Sequence, residues 1–191
     1  MITRCYLEIT NICNFDCKFC PKTDRTKRRL TLEEFDRLTD KLQDQVKFLY
    51  FHLMGEPLLH PLLERVLELA GEHGFKVILT TNGTLLQKQQ HVLLKAPALH
   101  KVNISLHAFE ANDLSIPFSE YLQGCFQFGQ AAEGKKLVAY RLWNQGGQDK
   151  RNEEILAALR RFFPAPWETE RRGARIGDRV YLEYGDKFDW P

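Results

Sequence analysis

Cys13, Cys17 and Cys20 stand within eight positions, in the stretch TNICNFDCKFCP that runs from residue 10 to residue 21. Three is an awkward number of thiols. A disulfide consumes two, and a closed structural zinc site takes four ligands. The spacing C-x3-C-x2-C suits another chemistry. A loop of this length can fold around a compact iron–sulfur cubane and direct one thiolate at each of three irons. Four cysteines would saturate such a cluster and favour simple electron transfer. Three leave one iron open, and an open coordination position is where a metal site does chemistry. The set is also i, i+4, i+7, which would align on a helix, but Asn14, Asp16 and Pro21 oppose a helix here. Two alternatives stand beside the cluster. One is a zinc-binding or non-catalytic interaction module, using the same triplet with a distant fourth ligand such as Cys5 or a histidine. The other is three unliganded thiols.

The rest of the composition narrows the setting. The other two cysteines, Cys5 inside an apolar run and Cys125 beside Leu122 and Phe126, read as core. A chain of 191 residues fits one domain and can bury a core. Lys and Arg number 27 against 25 Asp and Glu, for a net charge of +2, which argues for neither nucleic acid nor an anionic membrane as partner. A local basic run, Lys22, Arg25, Lys27, Arg28 and Arg29, has no interleaved aromatics on which bases would stack, and reads as a solvated loop. The first ten residues lack the apolar stretch of a signal peptide, and no segment approaches the roughly 18 apolar residues of a membrane span. A cytoplasmic location is therefore expected, where thiols stay reduced and clustered cysteines point to metal or redox chemistry.

The elements that must position the thiols follow from periodicity. RCYLEIT (4–10), VKFLYFHL (46–53), FKVILTT (75–81), KVNISLHAF (101–109), KLVAYRLW (136–143) and RVYLEYG (179–185) read as strands. Thr31 and Glu34 form a capping box ahead of Leu32, Phe35, Leu38 and Leu42 at helical spacing. Leu58, Leu62, Val66 and Ala70 make a second stripe, Leu85, Leu86 and Leu93 a weaker third, residues 119–132 a fourth, and a fifth opens at Asn152 and stops at Pro164. Strand and helix alternate six times with the sixth helix missing, and the tail after Pro164 reads as irregular until the last strand. This order predicts parallel strands with crossover helices outside, as a partial barrel or an open doubly wound sheet. Each strand has one apolar face and one polar face: Tyr6 and Glu8, Tyr50 and His52, Thr80 and Asn82, Asn103, Ser105 and His107, Arg141, Glu183. Ligands of α/β folds bind at the C-terminal ends of strands, so a polar pocket is expected there.

The stretch C-N-F-D-C-K-F-C after the first strand resembles the signature of the radical S-adenosylmethionine (radical SAM) superfamily, C-x3-C-x-aromatic-C, with Phe19 as the aromatic. M-G-E-P (54–57) is similar to the family's G-G-E-P, and T-T-N-G (80–83) and N-I-S-L-H (103–107) follow in the same order at successive strand ends. Within the superfamily the chain looks most like the radical SAM core of SPASM-type peptide maturases. The resemblance implies an α/β fold, a partial (β/α)6 TIM-like barrel filling residues 1–191 as a single core domain. It implies a C-terminally truncated fragment, since Cys5 and Cys125 cannot make an auxiliary cluster and the chain stops at K-F-D-W-P (187–191). It further implies a [4Fe–4S] cluster on Cys13, Cys17 and Cys20, with S-adenosyl-L-methionine on the open iron. Reductive cleavage would then give a 5′-deoxyadenosyl radical that abstracts hydrogen from a substrate such as a peptide or protein side chain. A flavodoxin- or ferredoxin-like one-electron donor is the implied partner.

For the cofactor-binding residues the resemblance implies that Gly55 lets backbone approach the ligand and that Glu56 accepts from the SAM ammonium. Pro57 opens the next helix, and Asn82 shapes the turn after the third strand. Ser105 and His107 would reach ribose or carboxylate, and Arg141 the carboxylate. The sequence departs from the family at Met54, in place of the first glycine, and shows no clear glycine-rich motif on the fifth strand.

Overall fold

The strands in chain order are β1 (Arg4–Tyr6), β2 (Phe48–Phe51), β3 (Lys76–Thr81), β4 (Leu99–Ser105), β5 (Leu137–Gln145), β6 (Glu168–Glu170), β7 (Gly173–Gly177) and β8 (Val180–Asp186). Among the described residues five helices are interleaved: α1 (Leu32–Leu42), α2 (Leu63–Glu72), α3 (Leu86–Lys95), α4 (Phe118–Ala132) and α5 (Asn152–Phe162). The structure is a computed structural model and describes residues 3–112, 115–147, 150–164 and 166–186. The K-F-D-W-P terminus lies outside the described residues.

All strands form one sheet in the order β1-β2-β3-β4-β5-β8-β7-β6. The first six in that order are parallel. Because each new strand is added on the same side, the sheet winds in one direction, as in a barrel; a doubly wound sheet would reverse its order partway. β1 and β6 are its two edges, so the barrel is partial and open.

The sequence missed the hairpin that precedes β8. β6 and β7 pair antiparallel, and β7 pairs antiparallel with β8. All three residues of β6, Glu168, Thr169 and Glu170, are exposed, so no apolar alternation marks it. In β7 only Ala174 and Ile176 face inward.

Local chemistry explains the helices. In α1 the Thr31 hydroxyl accepts from the Glu34 amide and the Glu34 carboxylate accepts from the Thr31 amide, completing the expected box. Phe35 and Thr39 are the buried residues of α1, whereas Leu38 is exposed: the buried stripe passes one position further along than expected. α5 carries Glu153 and Glu154 in its first turn and Arg160 and Arg161 in its last, matching its dipole. The second helix begins later than expected. Pro57–Leu59 form a separate 3₁₀ turn, and α2 starts at Leu63. Likewise β4 stops at Ser105, and Leu106–Ala108 form a 3₁₀ turn in place of continued strand.

The apolar face of the sheet carries Leu49, Phe51, Val77, Leu79, Val102, Ile104, Tyr140 and Leu142, all fully buried. It packs in one cluster with Val66, Leu67 and Ala70 of α2, Leu93 of α3, Phe126 and Phe128 of α4 and Leu159 of α5. Each fully buried Leu or Phe contributes about 1.5–3 kcal/mol. This layer fixes the strands, and the strands fix where their C-terminal loops meet.

Candidate functional site

The cysteine loop is tied at its base. β1 ends at Tyr6, shorter than expected, and the chain beyond it turns to meet residues 28–30. Thr10 and Arg29 form an antiparallel bridge. The Leu30 amide donates to the Ile9 carbonyl at 2.9 Å and the Asn11 amide to the Arg28 carbonyl at 3.2 Å. Asn11 adds its side chain: Nδ2 donates to the Thr26 carbonyl at 3.0 Å, and Oδ1 accepts from the Arg28 amide at 2.7 Å. Everything between, including all three cysteines, is therefore one loop held at its neck.

The basic run is exposed, and three of its cations are paired. Lys22 pairs with Asp16, Arg25 with Glu8, and Arg28 with Glu34. Glu8 also accepts from the Met54 amide at 3.0 Å, so one carboxylate joins the cysteine loop to the loop after β2.

Around the thiols the strand-end loops converge. Cys13 is exposed; Cys17 and Cys20 are half-buried. Cys13 Sγ accepts from the Phe15 amide at 3.4 Å, and Cys20 Sγ lies 3.9 Å from Met54 Sδ. Asn112, in the turn after β4, donates to Cys17 Sγ at 3.1 Å. Phe19 sets its ring 5.2 Å from that of His107. The Cys17 thiol is raised to about 11: burial pushes it up most, the Asn112 hydrogen bond opposes this, and the neighbouring Cys13 and Cys20 add to it. Cys13 is raised mainly by burial too, with Glu56 and Cys20 adding to it. Raised in this way, Cys13 and Cys17 must give up their protons to bind a metal.

The loop after β2 packs its Gly55 and Glu56 against neighbouring loops. Gly55 has φ +80°, and a Cβ there would stand 2.3 Å from the Thr10 carbonyl oxygen. Its bareness lets this loop pack against the neck of the cysteine loop. Glu56 is 2 % exposed. Its Oε1 accepts from the Leu58 amide at 3.0 Å and its Oε2 from the Asn82 amide at 2.8 Å. The carboxylate is thus turned into the protein, where it caps the 3₁₀ turn that Pro57 opens and ties the β2 loop to the β3 loop. Burial raises its carboxyl to about 7.

Asn82 is buried beside the thiols. Its Nδ2 donates to Asn14 Oδ1 at 2.9 Å and lies 4.0 Å from Cys13 Sγ, while Oδ1 accepts from the Thr84 amide and hydroxyl. Ser105 is half-buried at the end of β4 and makes no side-chain cap bond to the turn that follows. His107 sits in that 3₁₀ turn, so it does not continue the polar face of β4; its Nδ1 lies 3.1 Å from the Arg141 carbonyl. Burial lowers His107 to about 4, which keeps the ring neutral.

Arg141 is already engaged. Its Nε donates to Glu183 Oε2 at 2.9 Å, Lys101 Nζ meets Glu183 Oε1 at 2.6 Å, and the guanidinium lies 4.2 Å from the Trp143 ring centre. Burial alone would raise Glu183, but the two cations more than offset it. Next to this cluster Asn103 donates to Thr80, whose hydroxyl contacts His52 Nδ1. The polar face of the sheet therefore satisfies much of its own polarity, and Arg141 meets a protein carboxylate there. A separate groove of about 510 Å³, lined by Phe162, Phe163, Pro166 and Arg175, involves none of the cysteine-loop residues.

The sequence reading did not single out Asn11, Asn112 or the tie from Glu8. Asn11 had a legible signal, an Asx residue directly ahead of the triplet. Asn112 had none, because it reaches Cys17 from 95 positions away. Among the described residues no three His, Cys, Asp or Glu side chains close on a single ion. A cubane takes each thiolate on a different iron, and this donor set of three cysteines fits it.

Residues 7–125 match the model of the Radical SAM superfamily, and the chain belongs to that superfamily. Its members are enzymes that use a [4Fe–4S] cluster and S-adenosylmethionine. Among curated relatives, the tungsten-containing aldehyde ferredoxin oxidoreductase cofactor-modifying protein of Pyrococcus furiosus is 31 % identical over 141 residues, 71 % of this chain and 38 % of its own length. A probable GTP 3′,8-cyclase of Pyrobaculum aerophilum is 29 % identical over 69 % of this chain and 45 % of its own. The chain thus spans less than half the length of these two relatives. Streptococcus suis SuiB shares the fold. Bound to S-adenosylmethionine it superposes with a TM-score of 0.66 at 18 % identity, over 85 % of this chain and 39 % of SuiB. Bound to precursor peptide SuiA the values are 0.64, 19 %, 85 % and 36 %. Among the described residues no helix is long and apolar enough to cross a membrane.

Proposed function

We propose that Cys13, Cys17 and Cys20 hold a [4Fe–4S] cluster through three of its irons, and that S-adenosylmethionine takes the fourth. When bound, that pair supplies a 5′-deoxyadenosyl radical able to abstract hydrogen from an unactivated carbon. The observation that carries the reading is that one necked loop holds all three cysteines, with side chains of the β2, β3 and β4 loops in contact with it.

The chain's own residues orient and shield. The neck at Thr10 and Asn11 fixes where the thiols point. Met54 lies over Cys20, and the Phe19 and His107 rings cover the β4 side, excluding water from a site where a radical must survive. Gly55 and Glu56 hold the β2 loop in place, so its backbone groups are the ones presented to the methionyl end of SAM. Asn82 stands beside Cys13 and Ser105 at the end of β4, and both are proposed to contact the bound cofactor. Arg141, paired with Glu183, holds the sheet face beneath.

A peptide or protein side chain is the proposed substrate, in keeping with the fold shared with peptide-bound SuiB and with the SPASM-type resemblance of the motifs. A nucleotide is the second reading, favoured by the GTP 3′,8-cyclase names among the relatives. A ferredoxin- or flavodoxin-like protein is the proposed electron donor. Anaerobically reconstituted protein with dithionite and SAM is expected to release 5′-deoxyadenosine, and Cys17→Ser to release none. Equal release from the two proteins would overturn the assignment. Stimulation of that release by candidate peptides or by GTP separates the two substrate readings.

A further inference from the structure

Asn112 occupies a turn that follows the last 3₁₀ residue of the β4 connection, and it is half-buried against the cysteine loop. Its side chain makes three contacts there. Nδ2 donates to Cys17 Sγ at 3.1 Å and to the Ala108 carbonyl at 2.7 Å. Oδ1 accepts from the Asp16 amide at 2.7 Å. The bond to Ala108 fixes the amide plane, so the other hydrogen of Nδ2 is aimed at the sulfur. The bond from Asp16 fixes the backbone one residue before that sulfur. Asn82 also touches the loop and a thiol, but its Nδ2 lies 4.0 Å from Cys13 Sγ, against 3.1 Å from Asn112 to Cys17.

We propose that Asn112 is a positioning residue for Cys17, setting both the place of that ligand and the electron density on its sulfur. The inference rests on the reading of Cys17 as a cluster ligand. The physical argument is electrostatic. A reduced cluster carries one more negative charge than an oxidised one, and that charge is shared with the thiolate sulfurs. An N–H aimed at a sulfur stabilises the reduced form more than the oxidised one, which raises the reduction potential. The hydrogen bond is partly shielded from water, where such a contact has more effect than in bulk solvent.

Two variants divide the roles. Asn112→Ala removes the donor to Cys17 and the acceptor for Asp16. Asn112→Asp retains an acceptor for Asp16 but places an anion beside the sulfur. The measurement is an electron paramagnetic resonance redox titration of anaerobically reconstituted protein, with iron and sulfide per chain determined alongside. Asn112→Ala is expected to reduce the equilibrium constant for one-electron reduction by about tenfold, which is 59 mV, and to retain less iron. Asn112→Asp is expected to retain wild-type iron and to show a larger fall in potential. Loss of the cluster from both variants, with the circular dichroism and thermal midpoint of the apoprotein unchanged, also supports the proposal. Wild-type iron content and potential in both variants would overturn it, as would unfolding of either apoprotein, which would mark a structural role. A wild-type protein that builds no [4Fe–4S] cluster would overturn the cluster reading itself, and this inference with it.

Discussion

Arg25 reaches back from the far limb of the cysteine loop to Glu8, its Nη2 lying 2.8 Å from Oε1 and 2.9 Å from Oε2. The same carboxylate accepts from the Met54 amide. One acidic residue just past the first strand thus couples the thiol-bearing loop to the loop after the second. Glu8→Ala leaves the Met54 amide without its acceptor, a loss of about 1 kcal/mol, and frees Arg25. The expected result is faster tryptic cleavage within residues 22–29, read by mass spectrometry. Glu8→Gln, which keeps an acceptor for Met54, is expected to fall between. Equal cleavage in all three proteins would show that the loop is held by its neck alone.

Gly55 supports a sharper stability prediction. A Cβ there collides with backbone at Thr10, and φ is +80°. Gly74 has nearly the same φ, +77°, but open space around it. Gly74→Ala therefore incurs only the left-handed backbone strain, about 1–2 kcal/mol. Gly55→Ala adds the collision and is expected to lose about 1–3 kcal/mol more. Urea midpoints of the two apoproteins compare them directly. Similar midpoints would mean that the β2 loop and the cysteine neck do not pack closely.

Glu56 gives the apoprotein a pH signature. Burial raises its carboxyl to about 7, although the Asn82 and Leu58 amides pull it down. A carboxyl with a folded value above its unfolded one contributes stability that is complete below the unfolded value. That contribution is lost as pH rises through the folded value. The window lies between the ordinary 4.5 and about 7. Across it, stability is expected to fall by roughly 3 kcal/mol from this group. Glu56→Gln removes the titrating proton, so chemical denaturation on both sides of the window should lose that slope. An unchanged slope would assign the pH dependence elsewhere.

The thiols should differ in reactivity before any metal is added. Cys13 is exposed, Cys17 is raised to about 11, and Cys125 is fully buried and raised to about 12. Alkylation of native apoprotein with iodoacetamide at mildly alkaline pH is expected to modify Cys13 ahead of Cys17 and to leave Cys125 untouched. Early modification of Cys125 would show that α4 does not pack on the Gly83 turn.

Much of this site was legible because its information is local. The triplet, the M-G-E-P and T-T-N-G turns and the Thr31 capping box each lie within a few residues, and strand–helix alternation places them at one end of the sheet. Side-chain partners were not legible, because they are set by tertiary contact. Glu56 faces the Asn82 amide 26 positions away, and Arg141 meets Glu183 from 42 positions away. A face assigned by alternation cannot show whether a charge meets a ligand or another strand. Alternation also fails where a strand stops early. His107 was placed on the polar face of β4, and the 3₁₀ turn at Leu106 removes it. The β6–β7 hairpin escaped notice because Glu168–Glu170 carry no apolar residue at all.

The most direct test is spectroscopic and needs no substrate. Protein reconstituted and reduced without oxygen should give the electron paramagnetic resonance signal of a [4Fe–4S]⁺ cluster, and added S-adenosylmethionine should shift that signal as its amine and carboxylate take the open iron. A cluster whose signal is indifferent to S-adenosylmethionine would contradict the account, as would a protein that keeps its full cluster after Cys13, Cys17 or Cys20 is changed to serine.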